Sequence, residues 1–163
     1  MKKERLLSII VPAIIAFIIF HFLLIPKTVM SESMEPTLMT GEQVIYSGLR
    51  LSPYKRGDII MFRLDDTDLC KRIIALPGET VEILDGYVYI DGTKLDEPYL
   101  PDGTFTAAVS ETVYHVPEDA YFVLGDNRAH SYDSRYWDRP FVTKQEISAR
   151  FLCRVSAIKS LQR

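Results

Sequence analysis

The amino-acid sequence predicts an all-β domain, whose mainly antiparallel sheets form a distorted barrel or sandwich, behind one N-terminal transmembrane helix. Three observations predict this fold. Residues 6–25 are 20 consecutive residues without a formal charge, which is long enough for a membrane-spanning helix. The rest of the 163-residue chain consists of short runs rich in β-branched and aromatic residues, separated by glycine, proline, asparagine and aspartate. No later run keeps the periodicity of an amphipathic helix.

The apolar run also predicts an orientation in the membrane. At about 1.5 Å per residue, residues 6–25 span roughly 30 Å, which is the thickness of the hydrocarbon core. Three basic residues lie among the first five residues, whereas only Lys27 closely follows the run. Because positive charges stay on the cytosolic side, we expect residues 1–5 in the cytosol and residues 26–163 outside the cytoplasmic membrane.

A cleaved signal peptide is the alternative interpretation of this N-terminus. The apolar region of such a peptide is shorter, about 7–15 residues, and small residues in an Ala-x-Ala pattern follow it. Here the run is longer, and residues 25–30 (Ile-Pro-Lys-Thr-Val-Met) contain no such pattern. The sequence therefore favours a retained anchor.

The strand-like runs follow the anchor in a regular series. They comprise residues 44–46, 58–63, 69–76, 80–84, 87–90, 121–124 and 149–158. The pair Asp85-Gly86 between two of these runs is a strong hairpin signal. Residues 79–118 are expected to form an inserted hairpin and loop, and its polar part, residues 98–117, is expected to lie outside the core.

Composition and charge argue against several classes of function. The chain has 19 basic and 22 acidic residues, so its charge does not indicate a nucleic-acid partner. Its two cysteines, Cys70 and Cys153, are too few for a disulfide scaffold and lack metal-ligand spacing, which favours buried free thiols. Residues 65–68 (Asp-Asp-Thr-Asp) lack the glycine and the distal glutamate of a calcium loop. No metal or organic cofactor is indicated.

The candidate nucleophile is a serine just after the anchor. The stretch 31–37 (Ser-Glu-Ser-Met-Glu-Pro-Thr) contains Ser31 and Ser33, and Pro36 fixes the local backbone. Serine is a poor nucleophile at its own pKa and needs a base nearby. The chemistry of this stretch therefore depends on the base that the fold brings to it.

Three histidines are candidate bases. His21 lies in the anchor, and His115 and His130 lie in the later domain. Ser131 and Asp133 follow His130 closely, but catalytic triads are assembled by the fold, so closeness in sequence does not indicate one. A histidine base is the less favoured interpretation.

Lys71 is the favoured candidate base. It lies in a strand-like run, where it shares a face with Leu69 and Ile73 while Arg72 points the other way. Aliphatic neighbours exclude water from an amine, and this lowers its pKa. A shift from about 10.4 to about 7–8 corresponds to about 4 kcal/mol, which desolvation can supply. The alternative, a solvent-facing strand lysine, fits the spacing equally well.

Four motifs in this order resemble those of bacterial type I signal peptidases. They are residues 33–37 (Ser-Met-Glu-Pro-Thr), 56–60 (Arg-Gly-Asp-Ile-Ile), 71–79 (Lys-Arg-Ile-Ile-Ala-Leu-Pro-Gly-Glu) and 125–135 (Gly-Asp-Asn-Arg-Ala-His-Ser-Tyr-Asp-Ser-Arg). The single short anchor and the small insert are similar to the Gram-positive form. The resemblance implies a membrane-bound serine endopeptidase that removes signal peptides from exported preproteins, with two antiparallel β-sheet regions.

The resemblance implies a Ser/Lys dyad. Ser33 matches the nucleophile and Lys71 matches the general base. The Ser31 hydroxyl and the Ser33 backbone N–H match the oxyanion hole. The implied partners are the phospholipid membrane and signal peptides with small residues, typically alanine, one and three positions before the cut.

The resemblance also implies supporting residues. Ser131 matches the serine that orients the lysine amine, and Met34 matches an apolar residue packed beside the site. Asp133 and Arg135 match a supporting acidic and basic pair.

Some positions depart from the family pattern, and two other functions fit parts of the sequence. Ala75 stands where glycine is usual, His130 stands where asparagine is common, and the strand from Ser148 lacks a frequent Gly-Lys pair. A repressor-type Ser/Lys autoprotease would need a DNA-binding helix-turn-helix, which the apolar anchor contradicts. In a non-catalytic membrane-tethered β domain, Ser33 and Lys71 would be dispensable.

Overall fold

A computed structural model describes residues 2–49 and 52–155. The described residues form the helix α1 (Lys2–Leu23) and a 3₁₀ turn (Glu32–Met34). The strands are β1 (Leu24–Thr28), β2 (Gln43–Ser47), β3 (Ile59–Leu64), β4 (Thr67–Ala75), β5 (Thr80–Leu84), β6 (Tyr87–Ile90), β7 (Thr93–Lys94), β8 (Val113–His115), β9 (Ala120–Leu124), β10 (Val142–Thr143) and β11 (Ile147–Arg154).

The strands form two antiparallel sheets. The first sheet has seven strands in the order β1-β2-β11-β3-β4-β9-β10, and the second has four strands in the order β7-β6-β5-β8. Every strand pair in the described part of the chain is antiparallel. The prediction of mainly antiparallel β structure is confirmed.

Each predicted strand run coincides with a strand, although the last run extends to residues 156–158, which lie outside the described residues. Sequence patterns miss four strands. Strands β7 and β10 are only two residues long, too short for a period-two pattern to be visible. Strand β8 lies in the predicted polar loop, and β1 begins inside the predicted anchor.

The helix α1 ends at Leu23, just before the predicted end of the apolar run. Leu24 and Ile25 instead belong to β1, where they pair with Ser47 and Tyr46 of β2. Among the described residues, no helix combines the length and the hydropathy that crossing a membrane requires.

Three clusters of buried apolar side chains stabilise the sheets. The first joins Val81 and Tyr114 of the second sheet to Phe122 of the first, and the Tyr114 and Phe122 ring centroids are 4.7 Å apart. The second contains Phe62 and Trp137. The third contains Met34, Leu38, Val44, Tyr46, Ile59, Met61 and Ala149. Since burying one such side chain contributes about 1.5–3 kcal/mol, the third cluster holds the 3₁₀ turn firmly against the first sheet.

Residues 79–118 contain all four strands of the second sheet. The expectation that residues 98–117 lie outside the core is wrong at Tyr114 and Val116, which are buried. The reason is that β8 pairs with β5, which places Tyr114 opposite Val81 within the first cluster.

Both cysteines are free thiols. Cys70 is partly buried on β4, whereas Cys153 is exposed near the end of β11. The prediction of two buried thiols is therefore wrong for Cys153, because the last residues of β11 extend beyond the core and are exposed to solvent.

Candidate active site

Ser33 lies in the 3₁₀ turn that follows β1. Glu35 N–H donates to the Glu32 carbonyl at 2.9 Å and closes the turn. Leu38 N–H donates to the Met34 carbonyl at 2.9 Å and forms a second turn directly after the first. Met34 and Leu38 are buried in the third cluster, so the segment that contains Ser33 is packed against the first sheet.

Lys71 meets Ser33 from strand β4. It pairs with Ile60 of β3, and it is only 3% exposed. Lys71 Nζ donates to Ser33 Oγ at 2.8 Å. The fold thus joins two side chains that are 38 positions apart in the chain.

Burial lowers the pKa of Lys71 below the ordinary lysine value of 10.5, because the charged amine loses its hydration. The Asp133 carboxylate opposes this change and raises the pKa, whereas the Arg135 guanidinium lowers it further. Since burial has the largest effect, the amine releases its proton more readily than an exposed lysine does. A general base that operates near neutral pH requires this property.

Ser31 lies beside the same contact. Its Oγ is 3.3 Å from Ser33 Oγ, and the residue is exposed. A hydroxyl donor at this position can reach an oxygen atom of a group that Ser33 attacks. The geometry is compatible with the oxyanion-hole role that the resemblance implies.

The neighbouring thiol does not compete with Ser33 as a nucleophile. Cys70 directly precedes Lys71 on β4, and its Sγ lies 3.0 Å from the Tyr46 hydroxyl. Burial raises the pKa of Cys70 to about 11, although the hydrogen bond to Tyr46 and the charge of Lys71 lower it. The thiol is therefore protonated at neutral pH, whereas the thiolate is the reactive form.

Gly125 of the loop 125–135 leaves no room for a side chain next to the serine turn, the 3₁₀ turn Glu32–Met34. A Cβ at this position would lie 2.1 Å from Ser131 Oγ and 2.4 Å from the Ser33 carbonyl oxygen. Asn127 N–H also donates to the Ser33 carbonyl, at 3.1 Å. Only glycine can therefore occupy position 125 without displacing Ser33 or Ser131.

Ser131 lies at the site without the contact expected of it. Its Oγ is buried and has no hydrogen-bond partner among the described residues. The hydrogen bond to the Lys71 amine that the resemblance implies is not formed, and Lys71 donates to Ser33 instead. The Ser131 hydroxyl thus keeps both its donor and its acceptor capacity beside Gly125.

The predicted pair Asp133 and Arg135 lies together at the centre of the loop. Arg135 donates to Asp133 Oδ1 through Nε at 2.8 Å and to Oδ2 through Nη2 at 3.0 Å. Asp133 Oδ2 also accepts the Gly125 N–H at 3.0 Å, and Arg135 Nη2 also donates to the Arg128 carbonyl at 2.8 Å. These bonds crosslink the loop and hold Gly125 against the serine turn.

Sequence reasoning misses two further buried ion pairs. Arg72 donates to Asp126 through Nε at 2.8 Å and Nη2 at 2.6 Å. Arg128 donates to Glu97 through Nη1 at 3.2 Å and Nη2 at 2.5 Å. Strand alternation places Arg72 on the face opposite Lys71, and a buried arginine needs a carboxylate, so a partner could have been expected. Which carboxylate it is depends on the pairing of distant strands.

Neither histidine of the β domain hydrogen-bonds to the candidate nucleophile. His115 Nδ1 lies 3.2 Å from Thr80 Oγ1, and His130 Nδ1 lies 3.8 Å from a Glu32 carboxylate oxygen. His21 lies in α1, and its side chain is outside the described part of the structure. The basic side chain beside the candidate nucleophile is thus a lysine.

A cleft leads to the Ser33 hydroxyl. It is lined by residues 27–31, by residues 68–71 of β4, and by the apolar side chains of Met34, Leu38, Val44, Tyr46 and Met61. Strand β4 pairs with β9 only from Arg72 onward, so the β4 backbone before Arg72 is paired with β3 alone. An extended peptide can add to such a free strand edge.

A serine hydroxyl in contact with a buried amine of lowered pKa, at the end of a cleft, is typical of a serine hydrolase. Residues 2–156 match the family described as signal peptidase, peptidase S26. The chain belongs to this family, so it is a serine peptidase. The resemblance to bacterial type I signal peptidases that the motifs indicate is confirmed.

Several relatives of the chain come from Gram-positive bacteria. The chain is 39% identical over 158 residues to a signal peptidase I of Bacillus amyloliquefaciens, covering 88% of this chain and 85% of that protein. It is 36% identical over 156 residues to a signal peptidase IB of Staphylococcus aureus, covering 83% and 82%. The crystal structure of a signal peptidase I from Enterococcus faecalis V583 superimposes with a TM-score of 0.50 at 35% identity, covering 63% of this chain and 98% of that one.

The close contact at Gly125 leads to a prediction for catalysis. We expect Gly125→Ala to lower kcat for peptide cleavage by about 10²-fold, because the added methyl group displaces the Ser33 carbonyl and a displacement of about 1 Å can cost this much. Ala129→Ser is the control, since it adds one atom at an exposed position of the same loop. A Gly125→Ala variant with wild-type kcat would show that the contact does not position Ser33.

Proposed function

We propose that this chain removes N-terminal signal peptides from exported preproteins by a Ser/Lys dyad mechanism, with Ser33 as the nucleophile and Lys71 as the general base. The observation that carries the proposal is the 2.8 Å contact between the buried Lys71 amine and the Ser33 hydroxyl. No histidine or carboxylate takes this place among the residues described around the hydroxyl.

Proton transfer from Ser33 to Lys71 starts the proposed reaction. When the amine is neutral, the Ser33 hydroxyl donates its proton to Nζ while Oγ attacks the scissile carbonyl carbon. Lys71 then gives this proton to the leaving amine, and an acyl-enzyme forms on Ser33. A water molecule, activated by the same amine, hydrolyses the ester and regenerates the serine. The mechanism uses no metal or organic cofactor.

Ser31 is proposed to stabilise the oxyanion of the tetrahedral intermediate. Its hydroxyl lies 3.3 Å from the Ser33 hydroxyl, and the Ser33 backbone N–H supplies the second donor. One preorganised donor of this kind lowers the barrier by about 2.7–4 kcal/mol. Ser31→Ala should therefore lower the peptidase activity, but by less than Ser33→Ala does.

The supporting residues act on the position and the environment of the dyad. Asp133 and Arg135 hold the loop that contacts the serine turn, and Met34 packs the turn against the first sheet. Ser131 has an unused hydroxyl, and we assign its oxygen to accept a hydrogen bond from the Lys71 amine during the reaction, which leaves the amine lone pair free for the Ser33 proton.

The substrate is proposed to bind in the cleft as an extended strand along the free edge of β4. Backbone hydrogen bonds to residues 67–71 would give affinity, and shallow apolar surfaces would select the side chains. The apolar lining of the cleft suits the small residues that the family resemblance implies one and three positions before the cut.

The helical part of the apolar run, residues 6–23, is proposed to anchor the enzyme in the cytoplasmic membrane, with residues 1–5 in the cytosol and the β domain, from Leu24 onward, outside. The uncharged sequence and the preceding basic residues support this orientation. Strand β1 begins at Leu24 and leads to Ser33 within ten residues. The turn that carries Ser33 would therefore lie close to the outer face of the cytoplasmic membrane, where exported preproteins emerge.

Cleavage of a preprotein by the detergent-solubilised full chain tests the proposal. We expect one cut at the signal-peptide boundary, and we expect Ser33→Ala to abolish it because the attacking oxygen is removed. Ser52→Ala is the control, since Ser52 is exposed and its hydroxyl contacts Arg150. The mass of the mature product identifies the bond. A wild-type chain that cuts no preprotein would support a non-catalytic tethered domain, and an active Ser33→Ala variant would exclude this nucleophile.

A further inference from the structure

We infer that Glu97 and Tyr99, which lie between β7 and β8 of the second sheet, are positioning residues for the catalytic site. They hold the loop 125–135 and the strand that carries Lys71 in one fixed arrangement. The inference rests on the proposed function, and it assigns to the second sheet a part in the reaction.

Glu97 connects the second sheet to the loop through Arg128. The carboxylate accepts two hydrogen bonds from Arg128, from Nη1 at 3.2 Å and from Nη2 at 2.5 Å. Both side chains are largely buried, so the pair is poorly screened by solvent. Arg128 Nε donates to the Gly125 carbonyl at 3.1 Å. Glu97 therefore fixes, through one arginine, the backbone that contacts Ser33.

Tyr99 connects Glu97 to strand β4. Its hydroxyl donates to Glu97 Oε1 at 2.6 Å, and its ring lies against the Arg72 guanidinium, with Cζ 3.9 Å from the ring centroid. A cation at this distance from an aromatic face is attracted to it. Burial and the neighbouring Glu97 carboxylate raise the pKa of Tyr99, so the hydroxyl keeps its proton and remains a donor.

The two arms of this arrangement meet the loop at adjacent residues, Gly125 and Asp126. Arg72 directly follows Lys71 on β4, and it donates through two nitrogens to Asp126, which directly follows Gly125. Arg128 donates to the Gly125 carbonyl. Arg128 thus links the loop to Glu97. Arg72 links strand β4 both to the loop and to Tyr99.

Loss of this arrangement should affect the base as well as the geometry. Lys71 has a lowered pKa mainly because it is buried. If the loop moves away from β4, water reaches the amine, and the pKa rises toward its ordinary value. The rate should then fall, and the acid limb of the pH–rate profile should move to higher pH. A residue that only stabilises the fold would not move this limb.

Three variants of the full chain test the inference, together with a matched control. Tyr99→Leu removes the ring and the hydroxyl, Tyr99→Phe removes only the hydroxyl, and Glu97→Gln removes the charge opposite Arg128. The control is Tyr87→Leu, since the Tyr87 ring in the same sheet also carries a cation, with Lys94 Nζ 3.2 Å from its centroid. For each variant kcat, KM, the pH–rate profile and the thermal unfolding curve are measured on a peptide substrate.

We expect Tyr99→Leu and Glu97→Gln to lower kcat about 10-fold or more, with KM changed by less than about twofold. Their acid limb should lie about 0.5 pH unit or more above that of the wild type. Tyr99→Phe should lose less activity than Tyr99→Leu because the ring still contacts Arg72, and Tyr87→Leu should behave as the wild type.

Several results would overturn the inference. A loss of kcat that matches the unfolded fraction, with an unmoved acid limb, would assign Glu97 and Tyr99 to stability alone. An effect on KM alone would place them in substrate binding, and wild-type kinetics would leave them without a role. These failures are distinct from failure of the proposed function, in which the wild-type chain would not cut a preprotein at all.

Discussion

Replacing Lys71 with arginine should lower kcat/KM for signal-peptide cleavage by about 10²–10⁴-fold, which is the contribution of a positioned general base. Guanidinium keeps the positive charge but cannot release its proton in the accessible pH range. Because Lys71 Nζ lies 2.8 Å from Ser33 Oγ, the substitution removes the proposed proton acceptor at the Ser33 hydroxyl. Initial rates on a preprotein or peptide substrate measure the loss.

Two further variants show whether the base itself is responsible. Lys71→Met removes the amine without adding the bulk of a guanidinium, and it should lose as much activity as Lys71→Arg. Lys55→Arg is the matched control, because Lys55 is an exposed lysine outside the cleft, and it should keep wild-type kcat/KM. Near-normal activity in either Lys71 variant would exclude a lysine base.

The pH–rate profile of the wild-type enzyme measures the pKa of the proposed base. If Lys71 is the general base, as proposed, only its neutral amine accepts the Ser33 proton, so kcat/KM should rise with pH and level off above the pKa of Lys71. Burial lowers this pKa from its ordinary value of 10.5, so the midpoint of the rise should lie below pH 10.5. A midpoint at or above this pH would show that Lys71 is solvated in the active enzyme.

The second large effect concerns stability. Arg135→Leu should lower the free energy of unfolding by about 3–5 kcal/mol, because it leaves the Asp133 carboxylate buried without its ion-pair partner. Both side chains are 0% exposed, and the pair has two short hydrogen bonds. Urea unfolding followed by circular dichroism measures the change.

An exposed pair in the same chain supplies the control. Arg139 pairs with Glu146, and their side chains are 52% and 29% exposed, so Arg139→Leu should cost only about 0.2–1 kcal/mol. Adding Asp133→Asn to Arg135→Leu should recover part of the lost stability, because the amide has no charge to bury. A loss below about 1 kcal/mol in Arg135→Leu would contradict a buried structural ion pair.

Much of the fold follows from local sequence patterns. The alternation of apolar residues and the Asp-Gly turn predict the hairpin of β5 and β6, because side chains on a strand alternate between a buried and an exposed face. The patterns fail where an element is too short to repeat its period, as in the two-residue strand β10, or where a polar segment is held by a partner strand, as in β8.

The candidate site could be predicted in its reactive residues and in the supporting pair of Asp133 and Arg135. The motifs single out Ser33 and Lys71, since a hydroxyl and an amine in these contexts match a known family. The two ion pairs that sequence reasoning misses are a different case. Arg72 and Asp126 are 54 positions apart, and their contact depends on the pairing of β4 with β9. No local pattern carries this information.

The sequence by itself determined seven of the eleven described strands, which family the chain resembles and which side chains have the required chemistry. Only the tertiary structure decided that Ser33 and Lys71 meet at 2.8 Å and that the bond from Ser131 to the amine is not formed. It also decided between a solvent-facing lysine and a buried one. The physical reason is that the pKa of Lys71 depends on how much water and which charges surround it, and packing between distant segments sets both.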